Sequence, residues 1–414
     1  MSLIKLSERH QRVLNNLGSL SILQASTYLF PLITLPHQVN ALGSDRFGAV
    51  AFSMAIVAYF KAVVDYGFEM TAARDVAQKA DDMTAVSAIF SRVMSAKVVL
   101  MVISFALLML AALALPSELR DYPLLIACFL SIPAAMATPD WLFQGLQQMR
   151  YITIFGVMSR SLFCVAVFVF VRSPDDYIMV PVISAASMAI SGMFSISAIR
   201  RGRLIDRLYF SAPADILSTI KAGYDSFLSQ FVPNFYSNLA TILLGLFATP
   251  AVVGVFEAAR RLTIAVEQMV GILSRAAYPH LCRHPEDHGK YAAITMGVTF
   301  LGCIMMIVLA PFVIVVLYGP EIKEGARLLQ LLALSVFPFS AFRVYGPNYL
   351  LIHGQDRRMR EVIVVASLIG AFAALALVPL AHAYGAAVAL LVARSVMAVG
   401  VLHRSKQHER LAHS

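Results

Sequence analysis

Apolar residues fill this chain in twelve long stretches separated by short polar interruptions. They fall at residues 17–42, 47–66, 98–115, 122–146, 151–171 and 177–199, then 224–248, 251–278, 291–317, 326–352, 362–380 and 383–402. Each is close to the roughly 20 residues that a helix needs to cross a bilayer core. Lipid offers backbone groups no partners, so a spanning segment must satisfy them internally. A barrel would alternate over ten-residue segments; continuous runs predict helices. The break between the seventh and eighth stretches rests only on Ala248-Thr249-Pro250.

Composition and charge sharpen that picture. Hydrophobic residues make up 59% of the 414 and charged residues 14%, where a soluble domain carries about 25% charged. With the N-terminus in the cytoplasm, inner segments hold 22 lysines and arginines and outer loops only five: Arg46, Arg120, Arg172, Lys323 and Arg327. That asymmetry follows the positive-inside rule, supports an even number of spans and puts both termini in the cytoplasm. The net charge of +9 is then mostly a topology signal that also meets anionic headgroups, and nothing beyond charge speaks for nucleic acid. The first apolar stretch is too long for a cleaved signal. Four scattered cysteines give no disulfide framework.

The two halves echo one another. Gln144-Gly145 and Met149-Arg150 after the fourth stretch match His353-Gly354 and Met359-Arg360 after the tenth, with Pro133 and Pro338 upstream. Phe47-Gly48 and Val253-Gly254 open the second and eighth stretches alike. Six helices per copy give parallel repeats, whose substrate sites lie near the midplane between halves. The expected organisation is a cytoplasmic tail at 1–16, a six-helix bundle at 17–199, a basic cytoplasmic linker at 200–217, a second bundle at 218–402 and a tail at 403–414.

An ionisable residue at membrane depth is costly unless it meets a cavity or a partner. Apart from Arg275 and Arg327 near the stretch ends, six basic residues fall inside the stretches: Lys61, Arg160, Arg260, Arg261, Arg343 and Arg394. The acids there are Asp65, Asp140, Asp225, Glu257 and Glu267. On the eighth stretch Glu257, Arg260 and Glu267 share an arc of roughly 80° at 100° per residue, which Arg261 widens to about 120°. One reading is a self-neutralised cluster that holds helices together. The other is a water-filled cationic cavity, which accounts for the surplus of arginines. Guanidinium stays charged and presents planar forked donors that match phosphate oxygens, so such a cavity selects an anion. Glu257, Glu267 and Asp65 are candidates for ion coupling. Gln24 and Tyr28 on the first stretch, and Gln230, Asn234 and Asn238 on the seventh, recur at four-residue spacing. Such stripes suit sugar hydroxyls or, equally, helix–helix hydrogen bonds. His280, Cys282, His284 and His288 match no standard metal-ligand spacing, and no phosphate-cradling glycine loop or nucleophile elbow is present. The chain therefore reads as a transporter without cofactor or metal, not an enzyme.

Leu42-Gly43-Ser44-Asp45-Arg46-Phe47-Gly48, then Asp65-Tyr66-Gly67-Phe68 with Arg74-Asp75, resembles the N-terminal signature of Wzx-type polysaccharide flippases. So does Pro139-Asp140-Trp141-Leu142-Phe143-Gln144-Gly145 followed by Met149-Arg150-Tyr151. The family sits in the multidrug/oligosaccharidyl-lipid/polysaccharide superfamily. The resemblance implies an all-α polytopic protein of about twelve transmembrane helices in two six-helix bundles around a V-shaped central cavity. It implies a cargo of undecaprenyl-pyrophosphate-linked oligosaccharide moved from the cytoplasmic to the periplasmic leaflet of a bacterial inner membrane, for O-antigen or exopolysaccharide. It further implies cavity walls from the first, second, seventh and eighth stretches, coupling to a proton or sodium gradient, and polysaccharide polymerase machinery as a partner. A cation-coupled drug or small-solute exporter of the same superfamily is the alternative, and the deep arginines count against it. A membrane polymerase or ligase would carry a long periplasmic loop; the outer loops here are short.

Overall fold

A computed structural model describes the backbone of residues 2–413, and the side chains except those of residues 1–21, 28, 118, 229–230, 232–237, 321 and 411–414. Among the described residues there are helices and no strands. In chain order they are α1 (Ser2–Asp65), α2 (Phe68–Gln78), α3 (Met83–Leu113), α4 (Tyr122–Phe129), α5 (Ser131–Met136), α6 (Asp140–Gly145) and α7 (Met149–Phe170). There follow α8 (Met179–Arg201), α9 (Pro213–Phe247), α10 (Pro250–Arg283), α11 (His288–Tyr318), α12 (Gly325–Leu334), α13 (Val336–Tyr345) and α14 (Asp356–His413), with a π-helical turn at Gly346–Leu351 before the last.

All twelve apolar stretches lie on helix, and the breaks have local causes. Gly43, at φ 71°, divides α1 between the first and second stretches. His382, at φ 45°, divides α14 between the eleventh and twelfth. The seventh and eighth part at Ala248–Thr249, as the sequence suggested, with Pro250 supplying the first turn of α10, where a missing N–H costs nothing. The fourth and tenth stretches each break three residues before a proline: at Leu130 before Pro133, and at Ser335 before Pro338. A proline removes the hydrogen bond to the carbonyl four residues back and clashes with it. The two matching kinks strengthen the internal repeat.

By length and hydropathy, eight helices among the described residues can cross a membrane, two of them the divided double-length α1 and α14. At 35 and 34 residues, α9 and α10 are also long enough to cross. The third stretch is corrected most: α3 starts at Met83, not 98, capped by the Asp82 carboxylate accepting from the Ala85 N–H at 3.0 Å. Lys97, expected in a connector, is buried within this helix. On α11, Leu301, Val308 and Phe312 are each more than 65% exposed. A helix so apolar yet so exposed is solvated by lipid.

The chain forms two compact units, one of Met1–Thr34 with Ile56–Phe231 and one of Leu35–Ala55 with Val232–Ser414. All three boundaries between the units therefore fall inside helices, two within α1 and one within α9.

In the first unit the signature residues are architectural. Tyr66 (φ 43°) and Gly67 (φ 71°) make the left-handed turn that ends α1. A Cβ on Gly67 would come within 2.8 Å of the Ser226 and Phe227 backbone, and Tyr66 stacks on Phe227 with centroids 4.6 Å apart. Trp141 is fully buried against Phe90. A Cβ on Gly145 would meet Val76 and the Ala73 carbonyl, so α6 lies directly on α2. In the second unit Gly48 and Gly254 bring α1 and α10 into backbone contact, with each Cβ position taken by the other helix. The matching glycines of the two repeats thus meet face to face.

Candidate functional site: two buried charge clusters

The second unit holds the larger cluster, and the hairpin of α9 and α10 starts it. Thr241 and Glu257 each lie eight residues from Thr249, so the turn sets them opposite one another. The Thr241 hydroxyl donates to Glu257 at 2.5 Å. Glu257, only 4% exposed, also holds the Arg260 Nε at 3.1 Å across one helical turn. Arg261 is exposed and makes no ion pair among the described residues.

Two turns further along α10, Glu267 (5% exposed) pairs with Arg394 of α14 at 2.5 Å. The Arg394 Nη1 also donates to the Ser335 hydroxyl at 2.7 Å. Ser335 stands at the break that Pro338 causes, so the kink places an acceptor for this arginine. Phe339 lies one turn on, and the guanidiniums of Arg394 and Arg343 each sit 5.2 Å from its ring centre, within cation–π range. Arg260 and Arg343 also lie in electrostatic range of Glu267. Among the described residues, four guanidiniums against two carboxylates leave this cluster a net charge of +2.

Buried ion pairs gain little net stability, but removing one partner costs about 3–5 kcal/mol because a charge is left uncompensated. Both acids here have a cation. The surplus of charge lies with the arginines.

The first unit holds a smaller cluster. Asp65 accepts from Lys61 at 2.5 Å and from Lys97 at 3.0 Å, with Lys97 almost fully buried and Lys61 42% exposed. Asp140 lies in electrostatic range of both lysines, Glu69 and Arg160. Arg160 donates to the Gly156 carbonyl of its own helix at 2.8 Å.

The residues singled out from sequence therefore divide between the units. Lys61, Asp65 and Arg160 belong to the first; Arg260, Arg261, Arg343, Arg394, Glu257 and Glu267 belong to the second. Gln24 is half-buried in the first unit, and Asn238, half-buried on α9, lies one turn before Thr241. Tyr28, Gln230 and Asn234 lie outside the described side chains. Sequence reasoning missed Thr241, Ser335, Phe339 and Lys97. Ser335, Phe339 and Arg343 do share the four-residue spacing that marks one helix face, a signal it could have used.

Residues 13–285 match the family described as polysaccharide biosynthesis protein. The chain is 27% identical over 387 residues to the Escherichia coli (strain K12) protein named "Putative O-antigen transporter", covering 91% of this chain and 92% of that protein. Among solved structures it resembles that titled "Lipid II flippase MurJ, inward closed conformation", with TM-score 0.75, 11% identity and coverage of 93% and 87% of the two chains. It also resembles an inward-facing multidrug resistance MATE family transporter of the MOP superfamily, with TM-score 0.69, 14% identity and coverage of 96% and 99%. The chain shares the all-helical fold of these two structures.

Proposed function

The chain belongs to the polysaccharide biosynthesis protein family, and we propose that it is a flippase for undecaprenyl-pyrophosphate-linked oligosaccharide repeat units. In this reading it is a transporter and not an enzyme. It moves its cargo from the cytoplasmic to the periplasmic leaflet of a bacterial inner membrane, for O-antigen or a related surface glycan. The name of the Escherichia coli relative supports the glycan side of that reading.

The observation that carries it is the net +2 charge of the second unit's cluster. An apolar span tolerates such a surplus when an anion joins it, and a pyrophosphate offers oxygens in the geometry a guanidinium fork accepts. The positive charge of Arg260, Arg261, Arg343 and Arg394 attracts the pyrophosphate. Amides such as Asn238 meet sugar hydroxyls, and the lipid tail stays in the bilayer. Alternating access then carries the headgroup across. Glu257 and Glu267 are the acids through which a proton or sodium gradient would act, whereas Asp65, held by two lysines, is an anchor. Transport that persists at full rate after both gradients are collapsed would remove that step.

A cation exporter would need acids free of arginine at these depths, and Glu257 and Glu267 both hold one. The test is depletion of the protein in cells, followed by extraction of glycan lipids and a probe of their leaflet. Build-up of undecaprenyl-linked units on the cytoplasmic face is expected. Unchanged glycan lipids would overturn the proposal.

A further inference from the structure

Between α8 and α9 the chain neither forms a helix nor leaves the protein. Residues 204–212 run as an extended strap along the first four turns of α3, the part that precedes its apolar stretch. Three serines of α3 hold it. The Asp206 N–H donates to the Ser87 hydroxyl at 2.8 Å, the Tyr209 N–H to Ser91 at 3.3 Å and the Ser211 N–H to Ser95 at 3.0 Å. Ser87, Ser91 and Ser95 are each less than 5% exposed. Their four-residue spacing sets them about 6 Å apart on a helix, close to the roughly 6.6 Å that two extended residues cover. From Tyr209 to Ser211 the strap takes that two-residue step. From Asp206 to Tyr209 it fits three residues into the same rise and must bow outward at Arg207-Leu208.

The result is a rigidly held outward strip. Leu208 is 70% exposed, Tyr209 50% and Phe210 66%, although backbone bonds to serine fix this segment in place. Arg200, Arg201, Arg203 and Arg207 are all exposed beside it, and Asp206 is the one acid between Arg200 and Ala212. On α8, which leads into the strap, Met193 and Phe194 are likewise 59% and 57% exposed. It lies on the side that the arginine bias assigns to the cytoplasm. Aromatic rings and long basic side chains at such a boundary are the chemistry of the membrane interface, and basic clusters there draw anionic headgroups.

We infer that the strap is a lipid-recognition surface, in which Leu208, Tyr209 and Phe210 seat in the cytoplasmic leaflet while Arg200, Arg201, Arg203 and Arg207 bind anionic phospholipid headgroups. The serines of α3 hold the strap in register for this contact. The surface is separate from both charge clusters, and it stands whatever cargo the protein carries.

The test is quenching of a tryptophan placed in the strip. The chain has one tryptophan, Trp141, 2% exposed, so wild type supplies a shielded background. Full-length F210W is reconstituted in mixed phosphatidylglycerol and phosphatidylcholine vesicles, with bromine near the headgroup end of one lipid or the other. Brominated phosphatidylglycerol is expected to quench F210W at least twofold more than it quenches wild type. It should also quench at least twofold more than brominated phosphatidylcholine at equal mole fraction. R207Q leaves three arginines to maintain topology and should narrow the preference between lipids. S91A should lower quenching by both lipids as the strap loosens. Quenching no greater than wild type would mean that the strip faces water or another protein, and equal quenching by both lipids would mean that it selects no headgroup. Either result overturns the proposal.

Discussion

The two buried charge clusters meet the same difficulty, charge in a low-dielectric interior, with different cations. In the first unit one carboxylate, Asp65, is held by two ammoniums, Lys61 and Lys97. In the second, each carboxylate takes one guanidinium, and the cluster keeps two more. Lysine is a compact point charge, whereas arginine presents a planar fork with several donors. The first cluster is closed: it pins α1 to α3 beside the left-handed turn at Tyr66–Gly67. The second retains positive charge after its internal pairs are made. Charge inside a membrane protein is therefore not one kind of signal, and what separates anchor from site is the capacity left over.

Breaking the pairs should expose that difference, and the largest loss of stability belongs to Arg394. R394A strands Glu267 and should cost about 3–5 kcal/mol, read as thermal unfolding of the purified protein. The double replacement R394L/E267L should recover most of that stability while transport stays lost; recovery of both would make this pair an anchor like Asp65. K97M leaves Asp65 with the half-exposed Lys61 alone and should cost about 1–3 kcal/mol. Transport per folded molecule should be unchanged in K97M, since the first cluster is structural. F339L removes the ring shared by Arg343 and Arg394 and should cost about 1–2 kcal/mol, with a several-fold weaker apparent affinity for cargo in a transport assay. The smallest effect on stability should come from R261Q, within about 0.5 kcal/mol as for other exposed sites. Transport should nevertheless fall in that variant, and unimpaired transport would take Arg261 out of the site.

Much of this architecture is legible in the order of residues because lipid imposes strict terms. Span length, helix as the spanning form and the lysine–arginine bias each follow from the bilayer alone, so the twelve stretches and most of their ends can be read directly. Proline and glycine mark the kinks at Leu130 and Ser335 and the turn at Gly43. The beginning of α3 was not legible, because residues 83–97 are polar enough to pass for a connector while capped and packed as a helix. The charged residues were visible, but their partners were not. Arg394 meets Glu267 from 127 positions away, a pairing that no local periodicity records. The serine spacing of α3 was present in the sequence too, yet it gains meaning only once the strap lies along it.

The central claim is that the second unit's surplus of arginine binds the phosphate end of the cargo. It is tested most directly by calorimetric titration of the purified protein with a short-chain prenyl pyrophosphate, comparing wild type with R261Q/R343Q. Saturable binding by wild type, weakened at least tenfold in a variant that still unfolds cooperatively, is the expected result. Equal affinity in the two proteins would contradict the account.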